Sequence, residues 1–229
     1  MSGTSDRRLV RLLQLASPTL PVGAYSYSQG LESAVEAGIV QDARSAEAWI
    51  AGLLEHSMAR MEAPVFLRLT DAWQRDDTQA VGDWNTLLLA SRETAEIRAE
   101  TAQMGYSLAR LLVDIGDLDE RSLAALRALE ECTFATVFAL ATARWGISRA
   151  DALLAYLWAW LENQVMAAVK SVPLGQTDGQ RLLHAIGGRL DDIAARAAAL
   201  DDDDLGSFVP GLALLSSRHE TQYSRLFRS

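Results

Sequence analysis

The chain has 229 residues, 49% of them hydrophobic, and a formal net charge of −9. That length is enough to bury a sizeable core in one large domain or two small ones. The acidic balance argues against a nucleic-acid binder or a membrane-surface protein, because neutralisation of phosphate groups supplies most of that affinity. No apolar run approaches the roughly 20 residues that span a bilayer, and no signal peptide is predicted.

The cysteine and lysine contents are both minimal. The single cysteine, Cys132, provides no disulfide framework and suits a reducing cytoplasm, where we expect the protein to act. The cationic side chains are twenty arginines and one lysine, Lys170. Codon bias in a GC-rich genome explains most of this imbalance. Lys170 is the exception, where a compact, rotatable ammonium group stands in place of a planar guanidinium group.

Helical periodicity and capping signals predict helices along the whole chain, which is rich in Ala, Leu, Arg and Glu. The first is predicted over residues 25–37, before Gly38; the second begins at an N-cap at Ser45, and the third carries Pro64 in its first turn. The remaining helices are predicted over residues 84–115 (as one helix or two), 120–131, 132–146, 148–170, 178–199 and 210–217.

No segment shows sustained strand alternation, and neither a repeat nor a domain linker is present in the sequence. We therefore predict an all-α fold, a single-domain helical bundle of roughly eight to ten helices with antiparallel neighbours, over residues 1–229. Residues 1 to about 8 are expected to form a flexible N-terminal tail. Residues from about 217 to 229 are expected to form a C-terminal tail.

The common catalytic and cofactor-binding motifs are absent from the sequence. No phosphate-binding loop or nucleophile elbow is present. The three histidines, at positions 56, 184 and 219, lack a second ligand at metal-binding spacing, so no metal site and no cofactor are predicted. The acidic run at 201–204 is interpreted as a solvated turn, because Leu205 and Leu212 occupy positions where a calcium loop needs oxygen ligands. Glu93, Glu96 and Glu100 are interpreted as part of a solvated or interfacial helix.

Three segments are not explained by helix formation alone: residues 17–33, 160–180 and 216–229. The first is rich in proline, glycine and tyrosine, and the second carries the sole lysine before a proline loop. The third mixes aromatic, aliphatic and arginine residues, types that are enriched in interface cores. Two interpretations of this last segment remain open: a tail packed on its own domain, or one that binds a partner.

Together these segments resemble the UreF family of urease accessory proteins. The resemblance begins at "LLQLASPTLPVGAYSYSQGLE" and continues through "SRETAEIRAETAQMGYSL" and "WLENQVMAAVKSVPLGQTDGQRLL" to "SSRHETQYSRLFRS", which covers essentially the whole chain. One departure is Tyr25, where many members are expected to have Phe; the ring is kept. The resemblance implies an all-helical homodimer that is not itself an enzyme.

The resemblance also implies partners. UreF-like proteins pair with a second accessory protein, UreD (also called UreH), and bind the GTPase UreG. The assembly delivers nickel to apo-urease and is coupled to GTP hydrolysis, and UreF-like proteins are discussed as regulators of the GTPase. Neither nucleic acid nor a membrane is an expected partner.

Candidate contact residues follow from the resemblance. Glu32, Lys170 and Arg225 are expected to face the GTPase. The tail is expected to dock UreD and to order on binding, through Arg218, His219, Tyr223, Leu226, Phe227 and Arg228. A recognition loop near the first helix is expected to contain Pro18, Pro21, Gly23, Tyr25 and Tyr27. The alternative is that the prolines and tyrosines only seal the end of the bundle.

Considered without the family resemblance, the residues leave three other functions open. The first is a helical scaffold or interaction protein that acts outside urease maturation. The second is a helical enzyme or small-ligand protein, whose site forms only in three dimensions and would be a deep apolar pocket with converging polar groups. The third is a nickel carrier in its own right, against which the scattered histidines argue.

Overall fold

A computed structural model describes residues 3–229 of the chain. Within this range the α-helices are α1 Gly3–Leu15, α2 Leu31–Glu36, α3 Ala43–Leu53, α4 Ala63–Gln74, α5 Thr78–Ala90, α6 Ala95–Asp114, α7 Glu120–Ala128, α8 Phe134–Arg144, α9 Arg149–Ser171, α10 Gln176–Gly187, α11 Leu190–Ala198 and α12 Pro210–His219. A π-helical segment, Leu54–Glu62, joins α3 and α4 into one continuous rod.

The all-α prediction is confirmed, because residues 3–229 contain no strand. If the rod is counted as one helix and the six-residue α2 is left out, ten helices remain over this range, in agreement with the prediction. The stretch expected as an N-terminal tail is helical from Gly3 onward, and residues 1 and 2 lie outside the described residues. No helix in residues 3–229 is both long enough and apolar enough to cross a membrane.

Helix boundaries follow the capping residues, with one correction. Ser148 caps α9 as predicted, accepting a hydrogen bond from the Asp151 N–H at 3.1 Å. The predicted cap at Ser45 is wrong, since Asp42 caps α3. The Asp42 carboxylate accepts from the Ser45 N–H at 2.8 Å, and the Ser45 hydroxyl accepts from the Asp42 N–H at 3.0 Å. Ser45 is therefore the second partner of a capping box.

The helix predicted over residues 25–37 is also wrong. The chain makes a short 3₁₀ turn at Ala24–Ser26 and does not become α-helical until Leu31. Gln29 and Gly30 both have positive φ, 50° and 76°, which an α-helix does not accommodate. This break keeps the polar segment 26–30 out of a helix and free to contact α6, α9 and the chain end.

Two long predicted stretches are each divided in two. Residues 84–115 fall into α5 and α6, separated where Thr94 caps α6 by accepting from the Ile97 N–H. Residues 178–199 fall into α10 and α11, which are separated at Gly188 and Arg189. The predicted single helix over 178–199 is thus wrong, because the apolar pattern continues through a turn that redirects the chain.

Pro64 lies in the first turn of α4, inside the rod. Proline has no N–H to donate to the preceding turn, and the π-helical segment lies directly before it. The Arg60 carbonyl accepts from the Gly206 N–H at 3.1 Å, a donor outside the rod. This contact attaches the acidic loop after α11 to the rod.

The core lies where α4, α8 and α9 meet. Phe66 stacks on Tyr156 with ring centroids 4.6 Å apart, and Phe138 meets both rings edge-on. Helix α6 contacts the backbone just before α8. The contact is so close that a Cβ on Gly105 would lie 2.0 Å from the Cys132 carbonyl oxygen. This close approach positions the polar N-terminal half of α6 beside α9.

Candidate partner-binding site and the docked C-terminal segment

The last ten residues, 220–229, are here called the C-terminal segment, and they pack on their own domain. The Ser28 N–H donates to the Ser229 carbonyl oxygen at 2.9 Å, and the Arg228 N–H donates to the Ser26 carbonyl oxygen at 2.8 Å. The side chain of Phe227 is buried, with 5% of its surface exposed. The segment therefore lies along residues 26–28, and of the two open interpretations the packed tail is the one observed.

Glu32, in the first turn of α2, holds this segment through its backbone. One carboxylate oxygen accepts from the Leu226 N–H at 2.6 Å and the other from the Phe227 N–H at 2.9 Å. Glu32 is predicted to face the GTPase, whereas Leu226 and Phe227 are predicted to dock UreD. The structure brings them into direct contact.

Arg225 and His219 complete the attachment. The Arg225 guanidinium donates to Glu96 on α6 at 2.7 Å. His219, the last residue of α12, has no exposed surface, and its ring nitrogens lie 2.7 Å from a Glu96 oxygen and 3.2 Å from a Glu32 oxygen. The prediction that His219 contacts a partner is therefore wrong, because the domain itself encloses this side chain.

Lys170 joins the other two unexplained segments to this site. It is exposed near the end of α9, and its ammonium lies 5.9 Å from the ring centroid of Tyr25 and 5.7 Å from that of Phe227. These distances fit cation–π contact with both rings. Segments 17–33, 160–180 and 216–229, which the sequence marked separately, therefore meet in one place.

The proposed recognition loop divides into exposed and buried residues. Pro18 and Pro21 are exposed, Gly23 makes the expected tight turn with a φ of 80°, and Tyr25 is 66% exposed. Tyr27 is buried, and burial, followed by the charge of Glu100, raises the pKa of its hydroxyl. Tyr27 is therefore a core residue, contrary to its predicted role on a recognition surface.

The C-terminal segment and its surroundings leave a set of exposed apolar and cationic side chains. Tyr223 is fully exposed and Leu226 is 64% exposed. We call the exposed aromatic, aliphatic and cationic residues at the centre of this region the composite surface: Tyr25, Lys170, Arg218, Tyr223, Arg225, Leu226 and Arg228. Among the predicted tail contacts, His219 and Phe227 fall inside the domain.

A buried polar cluster lies beneath this surface. Arg92 donates to Glu62 at 2.6 Å, and the Tyr156 hydroxyl donates to the other oxygen of the same carboxylate. Glu100 accepts from Gln29 at 2.7 Å and from the Ser229 hydroxyl at 2.7 Å. Sequence reasoning missed Glu62, Arg92 and Tyr156, because they come from the π-helical segment, the turn between α5 and α6, and α9, and share no spacing.

Burial dominates the chemistry of Glu100. Desolvation raises the pKa of this carboxyl group to about 7, despite the hydrogen bonds from Ser229 and Gln29, which lower it. The predicted solvated or interfacial face at Glu93, Glu96 and Glu100 is thus wrong for Glu100, of which only 4% is exposed. A period-based prediction cannot find this residue, since α6 also carries charged side chains on its exposed faces.

A cavity of about 290 Å³ adjoins the cluster, between the loop after α1, the N-terminal half of α6, and α9. Its walls are mainly apolar, and Gln29, Glu100 and Lys170 contribute polar groups. Small-molecule sites run from about 300 to 1,000 Å³, so this cavity lies at the lower limit. Its outer wall includes Tyr25 and Lys170, which belong to the composite surface.

Candidate metal-ligating side chains are scattered over the described part of the chain. Across residues 3–229, no three His, Cys, Asp or Glu side chains converge as metal ligands would. His56 and His184 are exposed on separate helices, and both ring nitrogens of His219 already face carboxylates. Cys132 is partly buried, and burial raises the pKa of its thiol.

Comparison with known proteins decides the family. A family model described as UreF matches residues 40–187. The chain belongs to the UreF family. A protein named urease accessory protein UreF from an Azoarcus species is 55% identical over 223 residues, covering 96% of this chain and 95% of the relative. UreF proteins from Methylobacillus flagellatus and Dechloromonas aromatica are 49% and 52% identical, over 99% and 97% of this chain and 100% and 98% of their own lengths.

The resemblance drawn from the sequence is therefore confirmed. The UreF model begins after Glu32 and ends before the C-terminal segment. It therefore includes Lys170 but neither residues 17–33 nor the C-terminal segment, which both contact Lys170. The full-length relatives extend over both. As a UreF protein, the chain is a urease accessory protein.

Proposed function

We propose that this protein is a non-catalytic component of the nickel-insertion machinery of urease, acting in the cytoplasm as a homodimer. In this role it binds UreD and the GTPase UreG, regulates the GTPase, and helps to deliver nickel to the urease apoprotein. Membership of the UreF family supports the urease connection. The observation that carries the partner-binding role is the composite surface.

The composition of this surface supports protein recognition. Tyrosine and arginine are the types enriched at interface hot spots, and Tyr25, Tyr223, Arg225 and Arg228 are all exposed here. Four cationic side chains and one exposed carboxylate, Glu220, lie in this region, in a chain whose net charge is −9. Such a local excess of positive charge favours a partner with an acidic patch, because complementary charge guides association.

The way the C-terminal segment is held supports a preformed interface. Backbone and side-chain hydrogen bonds already fix residues 225–229 on the domain. A segment that is ordered beforehand loses less conformational entropy when a partner binds. This differs from the expected tail that orders only on binding, and it predicts tighter association for the same contacts.

The division of contacts between the two partners is part of the proposal. Lys170 and Arg225 face UreG, with Glu32 acting from beneath as the residue that holds the backbone of the segment. Tyr223, Leu226 and Arg228 face UreD, while Arg218 lies at the margin of the surface. Nickel is cargo in this scheme and passes through the assembled complex.

The test is size-exclusion chromatography with light scattering. The chain is run alone and then with UreD and GTP-loaded UreG, as the unsubstituted protein and as Tyr223→Ala with Leu226→Ala. We expect a dimer alone, a three-protein complex with the unsubstituted chain, and no UreD co-elution with the double variant. Tyr106→Ala, which removes another exposed tyrosine, from α6, is the matched control and is expected to bind normally.

Normal binding by the double variant would exclude these two side chains from the interface. Absence of any complex with the unsubstituted chain, when both partners are folded, would overturn the proposed function itself.

A further inference from the structure

His219 occupies an unusual position for a histidine near a chain end. Its side chain has no exposed surface. Its Nδ1 atom lies 2.7 Å from Glu96 on α6, and its Nε2 atom lies 3.2 Å from Glu32 on α2. One imidazole therefore connects three elements that are far apart in the sequence: α2, α6 and the end of α12.

The hydrogen-bonding chemistry of this contact determines the form of the ring. An ionised carboxylate only accepts hydrogen bonds, so each ring nitrogen must carry a hydrogen for both contacts to form. A neutral tautomer would direct a lone pair at one carboxylate, inside the protein, where an unmet polar contact is costly. The doubly protonated imidazolium is thus the form that satisfies the geometry.

The charges around the ring are balanced. Glu32 from α2 and Glu96 from α6 supply two negative charges, and Arg225 from the C-terminal segment contacts the second Glu96 oxygen at 2.7 Å. With an imidazolium at His219, two cations face two anions. Without it, two carboxylates would share one guanidinium in a mostly buried site, and like charges there repel strongly.

The same two carboxylates control the C-terminal segment. Glu32 accepts the backbone N–H groups of Leu226 and Phe227, and Glu96 accepts from Arg225. His219 thus acts on three consecutive residues through two intermediaries. It also directly precedes the segment, and its carbonyl oxygen accepts from the Gln222 N–H in the turn that follows α12.

We infer that His219 is a positioning residue: by donating to Glu32 and Glu96 at once, it holds the C-terminal segment in the conformation that presents Arg225 and Leu226 on the composite surface. The inference rests on the proposed function only for the claim that this surface meets a partner. The positioning itself concerns the free protein and is measured there.

The first measurement is hydrogen exchange at the Leu226 and Phe227 amides in the full chain. In His219→Gln both donor hydrogens lie on one nitrogen, so they reach one carboxylate, and the amide oxygen, which only accepts, faces the other. We expect exchange at both amides to increase roughly tenfold or more as the segment opens locally, with no change along α9. His184→Gln, an exposed histidine on α10, is the matched control and should leave exchange unchanged.

The second measurement reads the ring directly. The chain has three histidines, so selective ¹⁵N labelling gives few signals, and His219→Gln assigns the one of interest. We expect both nitrogens of His219 to show the protonated signature when the segment is docked, because both face carboxylates. A signal from an unprotonated ring nitrogen would overturn the inference, even if the substituted protein fails to fold.

Rescue separates positioning by charge from simple space-filling. Adding Glu96→Gln to His219→Gln gives residue 96 a nitrogen that can donate to the amide oxygen of residue 219 and an oxygen that can still accept from Arg225, so slow exchange at Leu226 and Phe227 should return in part. Unchanged exchange in His219→Gln, or no rescue in the double variant, contradicts the inference. Faster exchange with unimpaired binding of UreD and UreG supports the positioning role and contradicts the proposed function of the surface.

Discussion

The carboxylate of Glu100 accepts a hydrogen bond from the hydroxyl of Ser229, 129 residues further along the chain, at 2.7 Å. Both residues are buried, and this bond connects the interior polar cluster to the end of the C-terminal segment. The packing of the surface that we assign to partners is therefore coupled to an ionisable group in the core.

Glu100 gives folding a dependence on pH. Its pKa is about 7 in the folded protein against 4.5 for the unperturbed group, so the folded state binds the proton more tightly. Stability from this residue is fully present below about pH 4.5 and is lost as pH rises through about 7. The difference in pKa corresponds to a loss of about 3 kcal/mol.

Substituting Glu100→Gln should remove that loss, because an amide does not ionise. We expect the free energy of unfolding, measured by urea denaturation across this pH range, to decline less in the variant than in the unsubstituted protein. Glu47→Gln, an exposed position on α3, is the control and should keep the original slope. An identical slope in Glu100→Gln would show that this carboxyl group is not the source.

Deletion of the residues after Ser217 should abolish UreD binding and leave helicity by circular dichroism almost unchanged. The structure adds a second expectation. Because His219 and Phe227 are buried, the deletion should also lower the midpoint of thermal unfolding. Loss of a buried aromatic side chain alone costs about 3–5 kcal/mol. A truncated chain that binds UreD normally would remove the segment from the interface.

Gly105 tests the close crossing of α6 over the start of α8. A Cβ there would lie 2.0 Å from the Cys132 carbonyl oxygen, which belongs to the backbone. Gly105→Ala should therefore destabilise the protein by about 1–3 kcal/mol or more, measured by chemical denaturation. Gly52→Ala in α3 is a control of opposite sign, because nothing lies within 4 Å of its added methyl group and alanine favours helix by about 1 kcal/mol.

Substitutions of Lys170 test whether a positive charge is enough at this position of the composite surface or whether the shape of the lysine side chain is also needed. Its ammonium lies between the rings of Tyr25 and Phe227, a contact worth about 0.5–1 kcal/mol at an exposed site. Lys170→Met should lower stability by no more than that, yet weaken UreG binding in a titration followed by calorimetry. Lys170→Arg should retain most of the binding. Equal binding by Lys170→Met and the unsubstituted protein would exclude Lys170 from the contact.

Local signals in the sequence were sufficient for the fold class and for several helix ends. The Ser148 cap, the left-handed glycine after α2 and the apolar run in α8 each depend on residues within one or two turns of each other. Errors arose where local signals compete. Residues 26–30 lie next to residues that favour helix, but positive φ at Gln29 and Gly30 interrupts the helix. The interruption allows contacts with Glu100 and Ser229, which are distant in the sequence.

What the sequence by itself determined was an all-α chain of the UreF family, with three segments that helix formation does not explain. Only the tertiary structure decided that Glu32 and Glu96 hold the C-terminal segment on its own domain, and that His219, Phe227 and Glu100 are buried. The reason is physical: helical periodicity and capping are short-range, whereas burial and pairing of charges depend on helices that are distant in the chain. A histidine between two carboxylates has no signature in a linear sequence, because its partners lie 123 and 187 residues away.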